Sequence, residues 1–125
     1  MPVFLELLKI HEDKRGLLEL LKFDNHEAVV SFTTKGKSRS GYYFKVKRVY
    51  TVLLGSFLFR ETNIKTNNEK KWVIKTGDHF SVKPGYAHMF TALEDSFMIE
   101  FTPNAKEKIE MIPYKPYRDI CEKEI

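Results

Sequence analysis

A chain of 125 residues fits one domain with one core better than two domains too small to bury enough apolar surface. Hydrophobic residues make up 42% of it and aromatics 14%, which excludes a disordered segment and supplies a packed interior. The net charge of +4 comes from Lys and Arg dispersed among acids rather than gathered in a stripe, so a nucleic-acid surface is not expected.

The N-terminal MPVFLELLKI carries Glu6 amid its apolar residues, unlike a secretory signal, and no apolar run reaches the roughly 18 residues that cross a bilayer. Lone Cys121 can form neither an internal disulfide nor a thiolate cluster. The expected address is the cytoplasm, with no membrane contact.

Short runs rich in Val, Phe, Tyr, Leu and Ile recur between Gly, Asn, Asp and Pro, the rhythm of an all-β sandwich or barrel. The runs predict strands over 3–10, 17–22, 27–34, 41–46, 48–54, 56–62, 70–75, 79–82, 87–93 and 96–102. Leu17, Leu20 and Leu21 would also share a helical face, but the run is short and follows Gly16, which favours a strand. Phe57, Phe59 and Glu61 fall on one strand face and Ser56, Leu58 and Arg60 on the other. Trp72 with Ile74, and Phe97 with Ile99 and Phe101, repeat that period of two. The polar 63–71 stretch reads as an exposed hairpin.

Pro84-Gly85 is a strong turn pair, because Pro fixes φ at the first central position and Gly accepts positive φ at the second. His88 then shares a face with Phe90 and points inward if Phe90 does. A core or rim histidine bonded to a neighbour is the plain alternative. His79 sits near a strand start, and His11 and His26 read as loop residues; none is assigned a role. Beyond Pro103, two prolines in Ile112-Pro113-Tyr114-Lys115-Pro116-Tyr117 oppose ladder pairing. The expectation is a barrel over 1–102 and an irregular or helical tail over 103–125, packing on the barrel or on a partner subunit.

Four segments in order resemble the RmlC-like cupin superfamily, in its nucleotide-sugar epimerase, ketoisomerase and capsular-polysaccharide branch. They are Asp13-Lys14-Arg15-Gly16 with the following strand, Ser31-Phe32-Thr33-Thr34-Lys35 with Gly41, Tyr50-Thr51-Val52-Leu53-Leu54-Gly55, and Gly77-Asp78 leading to Lys83-Pro84-Gly85-Tyr86-Ala87-His88-Met89-Phe90. The resemblance implies a double-stranded β-helix, or jelly-roll barrel, whose pocket is lined near His88. It departs at the first motif, where Gly41-Tyr42-Tyr43-Phe44-Lys45-Val46-Lys47-Arg48 stands in place of Gly followed by His-x-His and a Glu. In one register Tyr43 and Lys45 replace the histidines, in the other Tyr42 and Phe44.

A single imidazole cannot hold a divalent ion, so no metal and no cofactor are expected. The function implied is binding of a small polar or nucleotide-linked sugar, with divergent epimerisation or isomerisation as its chemistry. The competing reading is a non-catalytic ligand-sensing or assembly module. Candidate catalytic residues are Lys45, with a pKa lowered by burial, or His88 as the base, and Tyr43 or Tyr42 as the proton donor. Candidate substrate contacts are Tyr42, Tyr86 and the cations Arg39 and Arg48, suited to a diphosphate. Lys45 snorkelling to solvent and Tyr43 as plain filling are the alternatives. By analogy with the family, a homodimer is expected.

Overall fold

The computed structural model describes Pro2 and residues 7–23, 26–102 and 110–125. Its elements run β1 (Leu7–Asp13), β2 (Gly16–Phe23), β3 (His26–Thr33), β4 (Ser38–Phe44), β5 (Arg48–Leu54), β6 (Ser56–Asn63), β7 (Glu69–Lys75), β8 (His79–Val82), β9 (Tyr86–Ala92), β10 (Ser96–Phe101), β11 (Met111–Pro113) and α1 (Lys115–Glu122). The alternating apolar pattern thus yields each of the ten expected strands. The first begins within the expected span, whose residues 3–6 lie outside the described residues.

Two antiparallel sheets face each other, in strand order β1-β2-β3-β10-β5-β8 and β11-β4-β9-β6-β7. Period two sends alternate side chains between them. Tyr50, Val52, Phe57, Phe59, Ile74, Val82, Phe90, Ala92 and Met98 make the core. Phe90 is its hub: its ring lies 4.9 Å from Tyr50, 5.0 Å from Phe59 and 6.0 Å from Phe57. The turn Lys83–Tyr86 is closed by the Tyr86 N–H donating to the Lys83 carbonyl at 3.3 Å. Gly85 has φ +80° there, as the Pro-Gly pair requires.

The tail differs from expectation in one respect. Met111, Ile112 and Pro113 do pair, with Phe44, Tyr43 and Tyr42 of β4. Pro113 is tolerated because it ends a three-residue edge strand, where a missing N–H interrupts no interior ladder. Helix α1 follows, with Pro116 in its first turn, where proline's fixed φ suits a helix start. Tyr117 and Cys121, four apart, bury against Ala87 and Met89, the outward-facing partners of His88 and Phe90 on β9. The Tyr117 hydroxyl bonds the Thr62 hydroxyl and donates to Glu69 at 2.7 Å. The helix therefore packs on the barrel of its own chain.

Candidate functional site: a sealed histidine and an open aromatic cleft

His88 is fully buried between the sheets. Its Nδ1 lies 3.1 Å from the Tyr86 carbonyl and its Nε2 2.5 Å from the Tyr50 hydroxyl. A carbonyl only accepts, so Nδ1 carries the hydrogen and Nε2 is left to accept the Tyr50 proton. Burial holds the imidazole neutral, its pKa lowered to about 4, and the same burial pushes the Tyr50 phenol well above its ordinary value. The rings of Phe44 and Phe90 each lie 5.7 Å from the imidazole.

Beside this pair, Arg48 is buried with Glu100 at 3.0 Å and the Thr102 hydroxyl at 2.7 Å, its guanidinium 4.9 Å from the Phe44 ring. Arg39, also buried, donates to the Thr33 hydroxyl at 3.1 Å and the Phe32 carbonyl at 2.9 Å. Both guanidiniums tie strands together inside the fold.

A β-bulge between Ser40 and Tyr42 decides the fate of the neighbouring residues. Ser40 and Gly41 both take positive φ there, and a Cβ on Gly41 would stand 2.9 Å from Arg118 Cδ and 3.0 Å from the Arg118 nitrogen of α1. Only glycine fits. Past the bulge Tyr42 pairs in register with His88, and its ring lies 4.6 Å from the Arg118 guanidinium. Tyr43 packs instead against the cluster of Ala87, Met89, Tyr117 and Cys121. Lys45 is 68% exposed and 3.4 Å from Glu110. The structure therefore gathers Phe44, Tyr50 and Tyr86 around His88, and does not bring Tyr43 or Lys45 to it.

The barrel is open elsewhere. Between β7 and β8, the edge strands of the two sheets, lies a cleft of about 780 Å3. Phe59, Trp72, Phe80 and Tyr86 give it aromatic walls, and Glu61, Asn63, Lys70, Asp78, His79 and Lys83 give it polar groups. Trp72, 45% exposed, lies nearly parallel to Phe59, centroids 5.6 Å apart and planes at 24°. Glu61 faces Lys70 across β6 and β7 and His88 across β6 and β9. Its carboxyl pKa is raised by burial, against the opposing charges of Lys70 and Lys83.

Of the seven candidate site residues, Tyr86 alone lines this cleft. Glu61, Trp72, Phe80, Lys70 and Lys83 were not singled out. One signal for Glu61 was present: a carboxylate on the strand face of Phe57 and Phe59 is a charge aimed inward.

The donor set does not fit a divalent metal. The one imidazole at the barrel centre has its second nitrogen bonded to Tyr50, with phenyl rings beyond. Among the described residues no three His, Cys, Asp or Glu side chains converge as ligands.

No protein-family model and no curated sequence matches this chain. Solved structures do. Capsular polysaccharide assembling protein CapF from Staphylococcus aureus is 16% identical over 86% of this chain and 33% of its own, with a TM-score of 0.68. One variant of Bacillus subtilis oxalate decarboxylase is 17% identical over 84% of this chain and 30% of its own, at 0.69. A second is 20% identical over 75% and 27%, at 0.65. The fold is the cupin-type double-stranded β-helix. This chain spans about a third of the length of the proteins it matches.

Proposed function

We propose that this chain is a cupin-fold domain that binds a small polar sugar, free or nucleotide-linked, in the cleft between β7 and β8. The observation that carries this reading is the Trp72 ring, half exposed and held flat on Phe59, with Glu61 and Lys70 next to it. An apolar plate beside a carboxylate and an ammonium suits a ring that is apolar on its C–H face and hydroxylated at its rim. The cleft's volume lies within the range of small-molecule sites, a few hundred to about 1,000 Å3. The likeness to a capsular polysaccharide assembling protein supports a role beside sugar-polymer synthesis.

Binding without chemistry at His88 is the better-supported form of this reading. An imidazole whose two nitrogens are bonded to Tyr86 and Tyr50, and which lies outside the cleft lining, is poorly placed to take a proton from a ligand. The test is calorimetric titration with a panel of hexoses, methyl glycosides and thymidine- and uridine-diphosphate sugars, with solvent deuterium incorporation followed by mass spectrometry. Binding without incorporation is expected. No binding across the panel removes the sugar reading, and incorporation restores the isomerase.

A further inference from the structure

Resting on the sugar-cleft reading, we propose that the cleft selects an uncharged ring with neighbouring hydroxyls, clamped by the Glu61 carboxylate against the Trp72 plate, and that a diphosphate on the ligand adds no affinity.

The geometry comes from the register of two strands. Phe59 pairs with Trp72 and Glu61 with Lys70, so the aromatic plate and the carboxylate are successive steps on one face of β6 and β7. Two residues along a strand span about 6.8 Å, roughly the width of a six-membered ring with its substituents. A ring lying on Trp72 therefore brings its rim to the carboxylate. Among the described residues no hydrogen bond or ion pair engages the Glu61 oxygens, although Lys70 and Lys83 are near enough to lower its pKa. A carboxylate is acceptor-only, and its two oxygens match two adjacent O–H donors. Asn63, one further step along β6, already donates to the Tyr86 hydroxyl at 3.3 Å.

The charges argue against a diphosphate. Glu61 and Asp78 stand against Lys70 and Lys83 in the lining, two acids for two bases, so the cleft holds no surplus of cations. Asp78 is committed to its own turn, accepting the Lys75 N–H at 2.9 Å. His79 shares its Nδ1 with the Thr51 hydroxyl at 2.6 Å. The guanidiniums best suited to phosphate oxygens, Arg39 and Arg48, are buried among internal partners, and Lys45 faces Glu110 outside the lining.

A clamp of this kind has a pH signature. Glu61 is faced by Lys70 from β7 and His88 from β9, and feels the charge of Lys83 from the β8–β9 turn, while Asp78, His79 and Tyr86 line the same cleft. Hydroxyl donors stabilise the ionised carboxylate, so ligand affinity rises as pH rises through the raised Glu61 pKa and is level above it.

The experiment uses the full chain and calorimetry from about pH 5 to 8. Methyl glucoside, galactoside and mannoside are compared with uridine-diphosphate glucose and galactose at low and high salt. The expected result is a methyl glycoside that binds as tightly as its nucleotide-linked form, within about threefold, with no salt dependence. Glu61→Gln should weaken it about tenfold or more and flatten the pH profile. Glu61→Asp should keep the profile at reduced affinity, a rescue that a merely structural residue would not give. Nucleotide sugars binding more than about tenfold tighter and losing that advantage in salt would overturn the proposal. An intact pH profile in Glu61→Gln would do the same. Failure of every ligand would remove the sugar reading beneath it as well.

Discussion

The sealed centre around His88 and the open cleft between β7 and β8 are built from the same materials: aromatic rings, titratable side chains and neighbouring cations. They differ in what stands opposite. At the centre, β4, β5, β9 and β10 face each other, so the spaces beside His88 are filled by Tyr50, Phe44 and Phe90. At the cleft, β7 and β8 end their sheets, and among the described residues no further strand covers Trp72, Phe80 or Glu61. Glu61, one strand in from the edge on β6, lines the cleft, whereas His88 on the next strand is enclosed by the core. This separates a histidine enclosed in the fold from a glutamate that lines an open cleft.

The contrast is broken most severely in the core both regions share. Phe90→Ala removes a ring packed against Tyr50, Phe57 and Phe59, and should cost about 3–5 kcal/mol in urea denaturation, enough to unfold a marginal domain.

Acid should attack the sealed side next. His88 is neutral when folded, with a pKa of about 4, against about 6.5 when unfolded. The unfolded chain therefore binds the extra proton between those values. Stability is full above about pH 6.5 and falls by about 3 kcal/mol as pH drops to about 4. Asp13, held by Arg15 well below the usual carboxylate range, adds a further loss only in stronger acid. Urea midpoints across this range check the trend, and His88→Gln should remove the part between pH 6.5 and 4. An unchanged slope in that variant would place the titration elsewhere.

On the open side the balance reverses. Trp72→Ala should cost about 1 kcal/mol of stability, because the ring is half in solvent, yet weaken sugar binding about tenfold. Equal affinity in the variant would mean that the plate is not the binding surface. Least of all should follow from Lys45→Ala, which removes an exposed ion pair with Glu110 and should change stability by less than about 0.5 kcal/mol, with ligand affinity unaltered. A measurable loss of affinity would return Lys45 to the site.

Much of this molecule was legible in its residues. The strand runs, the Pro84-Gly85 turn and the shared face of His88 and Phe90 follow from local sterics and period-two alternation, which act over two to eight residues. So does the shared face of Glu61 with Phe57 and Phe59, whereas the cupin-type fold was an expectation from the resemblance of four ordered motifs. What the residues alone did not reveal lies at longer range. A bulge at Ser40–Gly41 resets which side chains of 42–45 face His88, because one extra residue exchanges the two sides of a strand. Helix α1 claims Tyr43 for the outer surface. Arg48 becomes an internal tie because Glu100 and Thr102, distant in sequence, supply its partners, while Arg39 turns back onto Phe32 and Thr33 at the end of the preceding strand.

Alternation along a strand says which side chains share a face, and the sequence by itself determined that much. Whether a face is covered or left open depends on which strands end each sheet. That was decided only when β7 and β8 became the ends of their two sheets.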